Sequence, residues 1–148
     1  MDDHINSDYE TDFLVWIHTQ AELLRAKHFD QLDLENLVEE LEGMARKEKH
    51  ELKHRTMQLI MHLLKCKLQP TRISGGWLGT IREQRLHIQD LLEAMPSLAR
   101  LLDEYMERSY AHAADLAADE TGLPRSAFPT TMPFSKEQLL DSDYIPKK

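Results

Sequence analysis

From Leu34 to Leu68 the chain holds one glycine, Gly43, and no proline, and its apolar residues keep one helical phase throughout. At about 100° per residue, Leu37, Val38, Leu41, Ala45, Leu52, Leu59, Leu63 and Cys66 share a stripe with Leu34. Asp33 supplies an N-cap, because its side-chain oxygen can accept a free amide N–H of the first turn. Pro70 ends the run, since it has no N–H and its ring clashes with the preceding turn. Ile60, Met61, Leu64 and Met57 fall on other faces of the same helix. A helix with apolar residues on several faces needs neighbours on more than one side, and whatever its neighbours leave bare predicts an interface.

The neighbours are legible in the same way. A first helix is expected from about Asp12 to Ala26, capped by Thr11 or Asp8. Its stripe is Phe13, Ile17, Ala21 and Leu24, widened by Trp16 and Leu23. A third runs from Gly76, after Ser74, to Met95, with Trp77, Ile81, Ile88, Leu91, Leu92 and Met95 on one face. Pro96 interrupts, Ser97 caps a fourth helix through Thr121, and Gly122 stops it. Ser135 and Gln138 have the capping-box spacing for a short helix ending near Leu140. The surrounding tail carries four prolines from Pro124 to Pro146, yet Phe128, Phe134, Leu139, Leu140, Tyr144 and Ile145 make it too apolar for a free linker. The expected fold is all-α: a compact bundle of about four main helices, one long and central, plus a short C-terminal helix and an irregular proline-containing tail. One domain is expected over 9–146, after a flexible acidic N-terminus over 1–8.

Composition narrows the function classes. A chain of 148 residues fits one domain. It has 18 Lys and Arg against 26 Asp and Glu, a formal charge of -8, whereas a broad nucleic-acid surface shows the opposite balance. Nucleic-acid binding is therefore disfavoured, except through a local patch. Cys66 is the single cysteine, so neither an intrachain disulfide nor a cysteine zinc site can form. The N-terminus lacks an apolar signal core, and the apolar run Leu59 to Leu64 is broken by His62 and too short to span a bilayer. The expectation is a cytoplasmic protein without membrane association.

Four patterns bear on chemistry. His50-Glu51-Leu52-Lys53-His54 matches the H-E-x-x-H zinc-hydrolase string. Both histidines fall opposite the apolar stripe, however, and Lys53 puts a cation inside the motif, so two exposed histidines and no metal site are expected. Glu39 and Glu40 point about 100° apart, and the Glu-x-x-His string within that motif, Glu51 to His54, has no second copy on another helix, so the di-iron bundle pattern is incomplete; no cofactor is expected. Arg55 and His62 lie two turns apart, and Arg82 and His87 have a tighter spacing. Such pairs suit a small helical ribonuclease, His moving a proton and Arg meeting phosphorane charge. Polar residues inside apolar stripes, namely Glu48, Arg55 and Gln84, with Arg85 at the edge of one, make either a buried network that sets helix register or a pocket in the bundle core. Finally, Lys65, Lys67, Arg72 and Arg82 run without an acid until Glu83. With Gly75 and Gly76 opening a helix, Lys65, Arg72 and Arg82 can form an anion site; alternatively, the cations complement a helix C-terminus and the glycines make a turn.

A string of motifs carries a family resemblance. It comprises Tyr9-Glu-Thr-Asp-Phe13 with Trp16, Leu24-Arg25, Asp33-Leu-Glu-Asn-Leu37, Glu39-Glu40, His62-Leu-Leu-Lys65, Gln69-Pro70, Trp77, Thr80-Ile81, Gln84-Arg85, Pro96-Ser-Leu98, Glu120-Thr121 and Phe128-Pro129. In this order they resemble the bacterial family called domain of unknown function 29, over nearly the whole chain. Cys66 stands where that family usually has an aromatic, and Gly76 where it has a serine before the tryptophan. The resemblance implies an all-α fold, carries no activity, and points to Asp12, Glu39, Glu40, His62, Lys65, Trp77 and Arg85 as a candidate site or a shared buried network. The leading expectation is a non-enzymatic module that binds a protein partner or itself as a homodimer. The alternatives are a ribonuclease or phosphate-compound enzyme using His62 with Arg55 or Arg85, and a small-anion binding domain.

Overall fold

A computed structural model describes residues 8–147 of the chain; apart from Asp8, the segment expected to be a flexible N-terminus lies outside the described residues. Residues 8–11 form a first helical turn, and five helices follow: α1 (Phe13–Arg25), α2 (Leu34–Leu68), α3 (Gly75–Ala94), α4 (Ala99–Thr121) and the short α5 (Lys136–Leu140). The fold is all-α, with no strand among the described residues. Single 3-10 turns occupy Phe29–Gln31, Pro70–Arg72, Pro96–Leu98 and Arg125–Ala127.

Local capping chemistry sets most of these bounds. Asp12 accepts the Val15 amide at 3.2 Å, so α1 starts one residue later than expected and neither Thr11 nor Asp8 is its cap. Asp33 accepts from the Asn36 amide and α2 runs unbroken to Leu68. Ser74 accepts the Trp77 amide at 3.1 Å, which brings Gly75 into α3. Ser97 is no cap: it lies inside the Pro96–Leu98 turn, and α4 begins behind it without a side-chain cap. Gly122 closes α4 at φ 74, left-handed backbone in which a Cβ would be strained. The Ser135–Gln138 capping box is present in full.

The chain divides into two compact units, residues 1–47 and 48–148, with the boundary inside α2. The C-terminal unit holds the core. Leu52, Leu59, Ile60, Leu63 and Leu64 of α2 are fully buried there with Ile81 and Ile88 of α3, Leu102 and Ala113 of α4 and Leu139 of α5. The tail joins this core through Phe128 and Phe134. The patch expected to stay bare on α2 is therefore interior: Ile60, Met61 and Leu64 are buried and Met57 packs against them.

The N-terminal unit is built differently. Among its described residues Trp16 and Gln20 alone are buried, and no residue of α2 before Leu52 is buried. The stripes read from the sequence are real in phase, yet most of the α1 stripe and the first half of the α2 stripe face water. Phe13 and Ile17 of α1 and Val38 and Leu41 of α2 are exposed, Leu41 to 64%. Periodicity records which face is apolar and is silent on whether a neighbour covers it.

Candidate functional site

The polar residues singled out above fall into separate hydrogen-bonded groups. In the N-terminal unit, Asp33 is a hub. Its carboxylate accepts the indole N–H of Trp16 at 2.9 Å and the Asn36 amide side chain at 2.8 Å, while its backbone N–H donates to Gln20 Oε1 at 2.9 Å. These bonds tie α1 to the start of α2. Tyr9 donates its hydroxyl to Glu40, and this carboxylate acceptor, with burial and the charge of Glu40 adding to it, pushes the phenol pKa up to about 12. Glu39 and Glu42 both pair with Arg46 along the helix surface. Asp12 serves as the α1 cap.

In the C-terminal unit, Lys65 is buried, pairs with Glu120 at 2.8 Å and lies 4.6 Å above the Trp77 ring. Arg85 is 2% exposed; its Nε donates to the Leu139 carbonyl at 2.8 Å and its Nη2 to that of Gln138 at 3.1 Å. Burial lowers the Arg85 pKa, with Asp141 acting in the opposite direction. Arg55 donates to Glu51 at 2.9 Å and to Gln84 at 3.4 Å, and the Glu51 carboxyl is held below its usual range by that hydrogen bond. His62 Nδ1 donates to the carbonyl of Gln58, one turn back, at 2.9 Å. No hydrogen bond among the described residues joins His62 to Arg55 or Arg85. Each is engaged elsewhere.

The anion candidates are dispersed in role. Lys65 is committed to Glu120 and Trp77, Ser74 caps the α3 amide of Trp77, and Arg72 is exposed on the Pro70–Arg72 turn. Gly75 and Gly76 form the first exposed turn of α3. Arg82 borders a depression that also includes Arg85 and Asp143. His50 and His54 are exposed, their rings 6.5 Å apart, and the described residues include no group of three or more His, Cys, Asp or Glu placed to hold a metal. Cys66 is fully buried and burial pushes its thiol pKa up, the opposite of a reactive thiolate.

The feature that sequence reasoning missed is a groove. It lies wholly in the N-terminal unit and holds about 420 Å³ between α1 and the first turns of α2. Phe13, Ile17 and Leu24 line one wall, Leu37, Leu41 and Met44 the other; Glu40 is its one acidic residue. Gln20 also lines it, and the Nε2 of this buried side chain has no hydrogen-bond partner among the described residues. Ten of the twelve large hydrophobic side chains found exposed among the described residues lie between Phe13 and Met44. The signal was present as the heptad-like spacing of Leu34, Leu37, Leu41 and Met44, which a buried helix and an uncovered seam share.

No helix among the described residues is long and apolar enough to cross a membrane. No curated protein and no solved structure matches the chain. The family model described as Domain of unknown function DUF29 matches residues 9–145, nearly the span over which the motifs from Tyr9 to Pro129 are spread, and the chain belongs to that family.

Proposed function

We propose that this chain is a non-enzymatic protein-interaction module whose binding surface is the apolar groove of its N-terminal unit. One observation carries the reading: Phe13, Ile17 and Leu24 of α1 and Leu41 and Met44 of α2, which line one groove together, stand exposed to water. Scattered exposed hydrophobics are ordinary, but a contiguous run marks a contact surface. Covering a Leu or Met side chain contributes about 1.5–3 kcal/mol, so a partner seated on this face gains substantially.

The polar residues of the C-terminal unit support the same reading from the other side. Lys65, Arg55 and Arg85 spend their donors on Glu120, Glu51, Gln84 and the α5 carbonyls, which is the work of a structural network. A cytosolic setting fits a single buried thiol, Cys66.

A neutral solvatochromic dye tests the surface. The wild-type protein is expected to bind it, and Ile17→Glu with Leu41→Glu to lose most of the signal while circular dichroism and thermal midpoint stay near wild type. A wild type that ignores the dye, or a double variant that unfolds, would sink the reading, because the residues would then be closed off or part of a core.

A further inference from the structure

The formal charge of the chain is unevenly placed. Residues 1–47 carry 12 acidic and 4 basic side chains, and residues 48–148 carry 14 of each. The whole net charge of -8 therefore belongs to the N-terminal unit, the same unit that bears the open apolar groove. Part of that charge lies on the helix that forms one wall of the groove. Glu40 lines the groove, and Glu39 and Glu42 flank Leu41 in sequence, with Arg46 as their shared cation. An apolar groove with Glu40 in its lining, in a unit of net negative charge, is complementary to one kind of surface: apolar residues on one face, cations beside them.

Resting on the interaction-module reading, we infer that the groove takes a basic amphipathic helix from another protein. Two helices already line it, so a third laid along them completes a three-helix arrangement by the helix-in-groove mode, with anchors at i, i+3, i+4 and i+7. Phe13 to Leu24 spans roughly 16 Å at 1.5 Å per residue, the length of about three helical turns. A second copy of this chain fits less well, because it brings an equal negative charge against the first, and like charge across an interface works against association. The buried, unpartnered Nε2 of Gln20 adds a further mark of an unfinished surface, since a buried donor ordinarily has an acceptor, and a polar group on the incoming helix can supply one.

The probe is a synthetic peptide of about 15 residues, roughly one turn longer than the groove, with leucine at i, i+3, i+4 and i+7 and lysine elsewhere. Its controls are a glutamate-for-lysine twin and a scrambled peptide of equal charge without an apolar face. Titration calorimetry on the full chain is expected to show one lysine–leucine peptide per chain. Affinity should fall as salt rises, because screening sets in beyond about 8–10 Å. Leu41→Glu should weaken binding about tenfold or more, the usual loss at a well-packed anchor, even though it adds an acid. Glu39→Gln with Glu42→Gln should weaken it a few-fold, and both controls should bind far less. Should the glutamate twin bind as well as the lysine peptide, with both sensitive to Leu41→Glu, the basic partner is refuted while the interaction surface stands. A chain that sediments as a dimer, is made monomeric by Leu41→Glu and ignores the peptides likewise replaces the basic helix with a second copy. Peptide binding and oligomeric state both indifferent to Leu41→Glu would overturn the interaction surface itself.

Discussion

At Arg85 two opposing effects meet in one side chain. Burial removes water from the guanidinium and lowers its pKa, yet the fork of N–H groups reaches two carbonyls at the end of α5 that the helix itself leaves unpaired. Gln89 does the same for the Leu140 carbonyl at 3.0 Å. Arg85→Met should therefore cost on the order of 1–3 kcal/mol, the desolvation penalty of carbonyls left without donors, read as a lower urea midpoint. Arg85→Lys should recover only part of the loss, because one ammonium does not reproduce a planar fork. Variants that both match wild type would show that α5 holds without this anchor. The sequence marks Arg85 as a polar residue at the edge of an apolar stripe, but its acceptors are more than fifty positions away and belong to backbone. Lys65 is the same case: its partner Glu120 has no periodic relation to it. Capping pairs are three residues apart, and so Ser74, Ser135 and Asp33 could be read directly.

Helix α2 is one element with two characters. Its C-terminal half, from Leu52 to Cys66, contributes most of its side chains to the core, whereas no residue of its first half is buried. Equal positions on one stripe therefore carry unequal weight. Leu59→Ala should cost about 2–5 kcal/mol through lost burial and the cavity left behind, while Leu41→Ala should stay within about 0.5 kcal/mol, as surface substitutions do. Chemical denaturation of the two variants side by side checks this, and comparable losses would mean that Leu41 is part of the folded core. The length and bounds of α2 were legible because periodicity, the Asp33 cap and Pro70 are all local signals. Its division was not. An apolar stripe is a property of one helix, whereas burial is a property of what packs on it.

For the molecule as a whole, core and charge are segregated. The C-terminal unit is formally neutral and holds every member of the buried hydrophobic cluster, from Leu52 to Leu139; the N-terminal unit carries the charge and the open groove. Regions with few buried apolar contacts open at low free energy and core segments near the global one. Amide hydrogens of α1 and of α2 before Lys47 should thus exchange sooner than those from Leu59 to Cys66, in native-state exchange followed by mass spectrometry. Uniform protection along α2 would contradict the division.

The chain has two tryptophans, and the fold gives one to each unit. Trp16 sits buried with its indole N–H on the Asp33 carboxylate, and Trp77 lies half-buried beneath the Lys65 ammonium. Their emission is consequently a two-channel record. Replacing either with phenylalanine leaves a single fluorophore that reports on its own unit, one beside the groove and one at the edge of the core. The unmodified chain thus carries an optical label at each of the two places where its behaviour is expected to differ.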